Sequence, residues 1–188
     1  MTYGTKQIDE YRYDLVKYND WAEIDEYWLT ERMKKIGIEV TQIYWSLTNS
    51  QGDGACFEGK IVDWGKYLCS IGYDDPILHE AAEDNFSLSW MHYGHYYHER
   101  SLVFDDDVWM PEKADTSMDE QDLFRYNVRE AVINQYDLLK LVEEIKDDIT
   151  QKCVQLRKEL EKTYDDLTSD KTVIEYMTVN EIKPTNED

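Results

Sequence analysis

Leu138, Val142, Ile145, Ile149, Cys153, Leu156, Leu160 and Leu167 recur at steps of four, three or seven within a stretch, Asp119 to Asp170, that holds neither glycine nor proline. That spacing lays one apolar stripe along a helix. A single straight helix of that stretch is about 75 Å long at about 1.5 Å per residue, more than a small domain can cover. The sequence therefore allows one very long helix or two, bent near Asn134. The stripe also demands an apolar partner. Either the chain's own core covers it, or a second copy does in a coiled coil, so a homodimer is one of the two expected outcomes. Thr168-Ser169-Asp170 reads as the cap of a last short helix carrying Val173, Ile174 and Met177, with Asn180 as its stop.

The rest of the chain mixes periods. Ile8 to Lys17 is compatible with a helix, and a second follows from an N-cap at Asn19 or Asp20, with Trp21, Ile24 and Trp28 on one stripe and Gly37 as the C-cap glycine. Ile38 to Leu47 and Ala55 to Val62 read as strands around a turn at Thr48 to Gly54. Asp75-Pro76 opens a helix through Ala82 with proline at its first position. Phe86 to Tyr93 and His95 to Phe104, divided by Gly94, read as a second hairpin. The expected fold class is α+β: a small antiparallel sheet of two hairpins packed with helices, plus a long C-terminal helical segment. The expected organisation is an α+β domain over 1–104, a mobile acidic loop over 105–118, and a helical segment over 119–188 that packs on the first domain.

Composition narrows the function classes. Forty-one acids against 20 Lys and Arg give a net charge of −21, which repels nucleic acid and anionic membranes and favours cationic partners. The imbalance peaks between Tyr73 and Met118, where eleven acids face only Arg100 and Lys113. The candidate binding surface is drawn from this stretch: Asp74, Asp75, Glu80, Glu83, Asp84, Asp105, Asp106 and Asp107. Six Trp and 15 Tyr argue against a disordered chain despite the charge. The three cysteines, Cys56, Cys69 and Cys153, include no CxxC pair and read as reduced thiols. No apolar run long enough for a signal peptide or a membrane span is present, so a cytoplasmic protein without membrane contact is expected.

Chemistry-bearing residues gather in two strings. Asp53-Gly54-Ala55-Cys56-Phe57 is similar to the nucleophile segment of ovarian-tumour-type cysteine peptidases, and His95-Tyr96 to their His-Tyr end. A thiol nucleophile needs a nearby imidazole and a lowered pKa. Against that role, the 39 positions from Cys56 to His95 are too few for that fold, and Cys56 enters a strand where those enzymes start a helix. The favoured reading is a hairpin turn and a buried strand cysteine, with Gly52 and Gly54 at backbone angles that side chains resist. His92, His95, His98 and Glu99 lack an HExxH pattern and read as packing groups. No metal and no cofactor is expected. Asp147-Asp148 and Asp165-Asp166 point in divergent directions and read as solvated faces.

The strings WSLTNSQGDGACFEG, GHYYHE and YDDLTSDKTVIEYMTVNEI, in this order, resemble a family of bacteriophage and prophage proteins from about Trp21 to the C-terminus. The chain departs from the family's pattern at Leu47-Thr48-Asn49 and at Lys171, where the family tends to an acid. The resemblance implies a phage setting and marks Gln51, Asp53, Gly54, Cys56, His95 and His98 as motif positions, without an activity. Joined to the acidity, it leads to an expected function: a stoichiometric anti-defence inhibitor whose carboxylates stand in for phosphates in the nucleic-acid groove of a CRISPR effector or restriction enzyme in the host cytoplasm. The alternatives are a small hydrolase-like enzyme using Cys56 with His95 or His98, and an accessory phage protein that pairs through its long helix.

Overall fold

The computed structural model describes residues 3–18, 22–47, 53–108 and 118–184. Two helices come first, α1 (Thr5–Tyr18) and α2 (Glu23–Lys35), followed by a hairpin of β1 (Ile38–Ser46) and β2 (Gly54–Ile61). Short helices α3 (Trp64–Ser70) and α4 (Pro76–Asn85) lead into β3 (Phe86–His92) and β4 (Leu102–Val108). The chain ends in α5 (Glu120–Gln135), α6 (Leu138–Thr168) and α7 (Asp170–Val179). The sheet has the order β1-β2-β3-β4 with every neighbouring pair antiparallel, as the two-hairpin reading expects.

Local signals account for most boundaries. Asp75 accepts a hydrogen bond from the Ile77 amide ahead of Pro76, and Ser169 accepts one from the Thr172 amide, each satisfying a helix-end donor that has no partner within its helix. Gly37 takes a φ of 82° just past α2, the left-handed turn that ends a helix. Asp63 caps α3, a helix that the pattern of the sequence did not announce. The proposed cap at Asn19 or Asp20 and the turn at 48–52 lie outside the described residues.

The apolar stripe of α6 is buried from Leu138 to Leu160, with Ile145, Ile149, Cys153 and Leu156 all 0 % exposed. It shares one core with Phe57 of β2, Leu88 and Trp90 of β3, and Tyr67 of α3. The chain's own sheet thus covers the stripe. The break falls at Tyr136 and Asp137, and Asp137 caps α6 through the Lys140 amide. Helix α5 packs on α4 while α6 packs on β2. A second, smaller core joins the two ends of the described chain: Tyr3 and Leu15 meet Val173 and Met177. There the Tyr3 hydroxyl donates to the Ile182 carbonyl at 3.1 Å.

Several expectations give way to packing. Trp28 is 58 % exposed, and α2 buries the adjacent stripe of Ala22, Leu29 and Met33; neighbouring stripes differ by one residue, and only the partner surface chooses between them. The His95–Phe104 arm is shorter than expected. His92 pairs with Leu102, and His95 and His98 sit in the connection ahead of a 3-10 turn at Glu99–Ser101. Asp105, Asp106 and Asp107 are in β4, not in a loop: they pair with Ser89, Leu88 and Ser87, so the sheet crosses the boundary placed at 104/105. Asp148 is not simply solvated, because it accepts the Tyr67 hydroxyl at 2.7 Å and the Lys152 ammonium.

One ion pair ties α2 to α6. Both terminal nitrogens of Arg32 donate to the Glu159 carboxylate at 2.9 Å, a bidentate geometry. These bonds hold the Glu159 carboxyl below its ordinary value. Its contribution to stability is therefore complete above the unfolded pKa of about 4.3 and is lost as pH falls through the lower folded value. Glu159→Gln is expected to lower stability near pH 7 and to flatten the loss between about pH 5 and pH 3. Urea midpoints measured across that range check it, and parallel curves for the two proteins would contradict the assignment.

Candidate functional site

The eight acids of the expected surface do not act alike. Asp75 is structural: besides capping α4 it accepts the Tyr136 hydroxyl at 2.7 Å, which together with the Ile77 amide holds its carboxyl below the usual range. Glu83 accepts the Trp64 amide at 2.7 Å and so anchors α3 to α4. Asp106 pairs with Lys146 of α6 at 3.4 Å. Alternation along a strand sends neighbours to opposite faces, so Asp105 and Asp107 turn away from α6, to the face shared with Ser87, Ser89, Met91 and Val103.

Glu80, Asp84, Asp105 and Asp107 are exposed. They make no hydrogen bond or ion pair among the described residues. Asp84 stands in the last turn of α4, a helix end without a basic residue where a carboxylate opposes the helix dipole. Helix α4 runs straight into Phe86, and Ser87 pairs with Asp107, so the end of α4 that carries Asp84 and the end of β4 that carries Asp107 form one acidic corner of the fold. Helix α5 borders that corner, since Phe124 and Arg125 share a cleft with Glu80 and Asp84. Phe124 is itself 62 % exposed.

The motif residues form a structural knot. Gln51 lies outside the described residues. Asp53 is buried and accepts the Ser46 hydroxyl at 3.0 Å. Cys56 is fully buried in β2, and desolvation, followed by the nearby Glu58 and Glu99 carboxylates, pushes its thiol up to about 12. That is the reverse of what a nucleophile needs. His95 is exposed in the β3–β4 connection. His92 packs against the Tyr44 ring at 4.8 Å and bonds the Tyr96 carbonyl at 2.9 Å, the packing role expected of these histidines. Gly54 does not owe its place to backbone angle, since positive φ occurs at other glycines. A Cβ there would stand 2.5 Å from the Tyr97 carbonyl oxygen, so the histidine connection lies directly on the backbone of β2.

A further cluster escapes the sequence reading. Cys69 of α3, Asp74 of the following linker and His79 of α4 bring their side-chain ligand atoms within 4.8 Å of one another. The Cys69 Sγ lies 3.6 Å from the Asp74 carboxylate and 3.7 Å from His79 Nε2, and Nε2 also lies 2.7 Å from the Tyr73 carbonyl. The trace in the sequence is an even Cys-x4-Asp-x4-His spacing, which carries meaning only once α3 and α4 pack side by side.

Among the described residues no helix is long and apolar enough to cross a membrane. No curated protein and no solved structure matches the chain. A family model does match, over residues 21–170, and this span holds the whole sheet, the acidic corner, the motif knot and the Cys69–Asp74–His79 cluster. The chain belongs to the family described as a domain of unknown function, DUF8835.

Proposed function

We propose that the protein is a stoichiometric inhibitor that seats its acidic corner in the cationic nucleic-acid groove of a host defence complex, a CRISPR effector or a restriction enzyme, in the cytoplasm of a phage-infected cell. The observation that carries this reading is the set of four carboxylates, Glu80, Asp84, Asp105 and Asp107, exposed and free of ionic partners among the described residues. The net charge of −21 and the resemblance of its motifs to phage proteins support it. Asp105 and Asp107 stand about 6.8 Å apart along β4. The corner complements a cationic groove in sign. Phe124 beside it supplies an apolar anchor of the kind that dominates interface energetics.

Capture of partners from a defence-bearing host, followed by association kinetics on the recovered complex, tests the reading. The on-rate is expected to fall steeply between low and physiological salt, as for steered encounters between opposite charges. Asp105→Lys with Asp107→Lys is expected to cut it by about tenfold or more, whereas Asp106→Lys, whose parent side chain already serves Lys146, perturbs stability instead. Salt-independent association, or a double variant that associates at the native rate, would rule out mimicry through this face.

A further inference from the structure

Cys69, Asp74 and His79 carry one ligand atom each of the kinds that zinc accepts: a thiol sulfur, a carboxylate oxygen and an imidazole nitrogen. Around a tetrahedral ion with metal–sulfur and metal–nitrogen bonds of about 2.3 and 2.0 Å, the sulfur stands about 3.5 Å from each neighbouring ligand atom. The observed separations from Cys69 Sγ are 3.6 Å to Asp74 and 3.7 Å to His79 Nε2. Each separation is also the length of an ordinary hydrogen bond to sulfur, so the Cys69 thiol already faces both groups. Both separations from Cys69 are nearly at coordination distance before any ion arrives, and the Asp74 and His79 ligand atoms lie within 4.8 Å of each other.

The surroundings hold it there. Tyr67 and Leu68 of α3 and Leu78, Ala81 and Ala82 of α4 are buried in the main core, and α3 packs on α4, so Cys69 and His79 are set on adjoining helices. The linker is pinned on both sides of Asp74. The Tyr73 hydroxyl donates to Glu144 of α6 at 2.6 Å, and Asp75 accepts the Tyr136 hydroxyl at 2.7 Å. A site whose supporting residues are fixed loses little freedom on binding. The Asp74 carboxylate beside the thiol adds a negative charge that a bound dication would meet.

We propose that Cys69, Asp74 and His79 form a binding site for a divalent transition-metal ion of zinc's class. On binding, the Cys69 Sγ–H proton leaves to solvent and the thiolate takes the metal. The His79 proton now facing the Tyr73 carbonyl moves through solvent from Nε2 to Nδ1, which frees the Nε2 lone pair. Thiolate, carboxylate and dication together are electrically neutral. The fourth position faces solvent and takes water or the Tyr73 carbonyl oxygen. Mixed sulfur, nitrogen and oxygen ligation selects zinc or cobalt over magnesium and calcium, which prefer oxygen alone.

Cobalt(II) makes the test visible, because a cobalt–thiolate bond absorbs in the near ultraviolet. Full-length protein stripped with chelator and titrated with Co2+ is expected to develop that band at one equivalent, and Zn2+ is expected to erase it. Cys69→Ser is expected to abolish the band with an unchanged circular dichroism spectrum, since Cys69 is exposed. Cys56→Ser and Cys153→Ser, at buried positions, leave it intact. Asp74→Asn and His79→Gln each weaken Zn2+ binding by more than the 10–100-fold typical of losing an outer-shell partner, measured against a chromophoric chelator. Absence of the band, a band that survives in Cys69→Ser, or Zn2+ affinity unmoved by the Asp74 and His79 variants overturns the proposal.

Discussion

Ile145→Asp is expected to unfold the protein rather than merely to separate two copies of it. Ile145 sits at the middle of the α6 stripe with no exposed surface, within a core that includes Phe57, Leu88 and Trp90. The Tyr67 hydroxyl lies 3.5 Å from its carbonyl. A carboxylate placed there stands among apolar side chains, and an unpaired buried charge costs about 3–5 kcal/mol or more. Total stabilities are about 5–15 kcal/mol, so the folded population falls sharply. Ile145→Val, which removes one methylene, is expected to cost only about 0.5–1.5 kcal/mol. Urea denaturation followed by circular dichroism measures both. Light scattering adds the decisive control: a well-folded, monomeric Ile145→Asp protein would mean that the stripe is a seam between chains and not the core of one.

The second large effect is expected at Gly54. The added Cβ of any other residue meets the Tyr97 carbonyl oxygen at 2.5 Å and its carbon at 2.8 Å, atoms of the backbone that cannot rotate aside. Gly54→Ala already forces the β3–β4 connection off β2, and Gly54→Val adds two methyl groups to the same collision. Overpacking of this kind costs about 1–3 kcal/mol, which for a chain of this size lowers the melting temperature by about 2–12 °C. Because the displaced segment carries His95 and His98, hydrogen exchange in residues 93–101 is expected to quicken in the same variants. Cys56→Ser, by contrast, is expected to leave partner binding unchanged, since that thiol neither reaches solvent nor ionises at neutral pH. An alanine variant that melts with the native protein would show that the connection yields at no cost.

The sequence by itself determined what depends on a few adjacent residues. Asp75-Pro76, Ser169 and Gly37 announced helix ends because capping is a bond between near neighbours. The alternating β-branched and aromatic runs announced the strands, and the spacing from Leu138 to Leu160 announced α6 as an amphipathic helix. Tertiary structure decided everything that turns on which surface meets which. The stripe required an apolar partner, yet only packing assigned that partner to the chain's own sheet. Trp28 and Leu29 occupy adjacent stripes of α2, and the position of the core, not the period, chose the second.

The acidic run over Asp105 to Asp107 has a polar composition that reads as a loop. Pairing with β3 made it an edge strand, and alternation then sent Asp106 to Lys146 and left its two neighbours outward. The Cys69, Asp74 and His79 ligand atoms come from a helix, a linker and a second helix. Nothing local relates them, because the angle at which α3 lies on α4 is set by the burial of Tyr67, Leu68, Leu78 and Ala82. Caps, periods and strands are short-range properties that a sequence displays directly, whereas a site is a coincidence in space that exists only after the apolar faces have found one another.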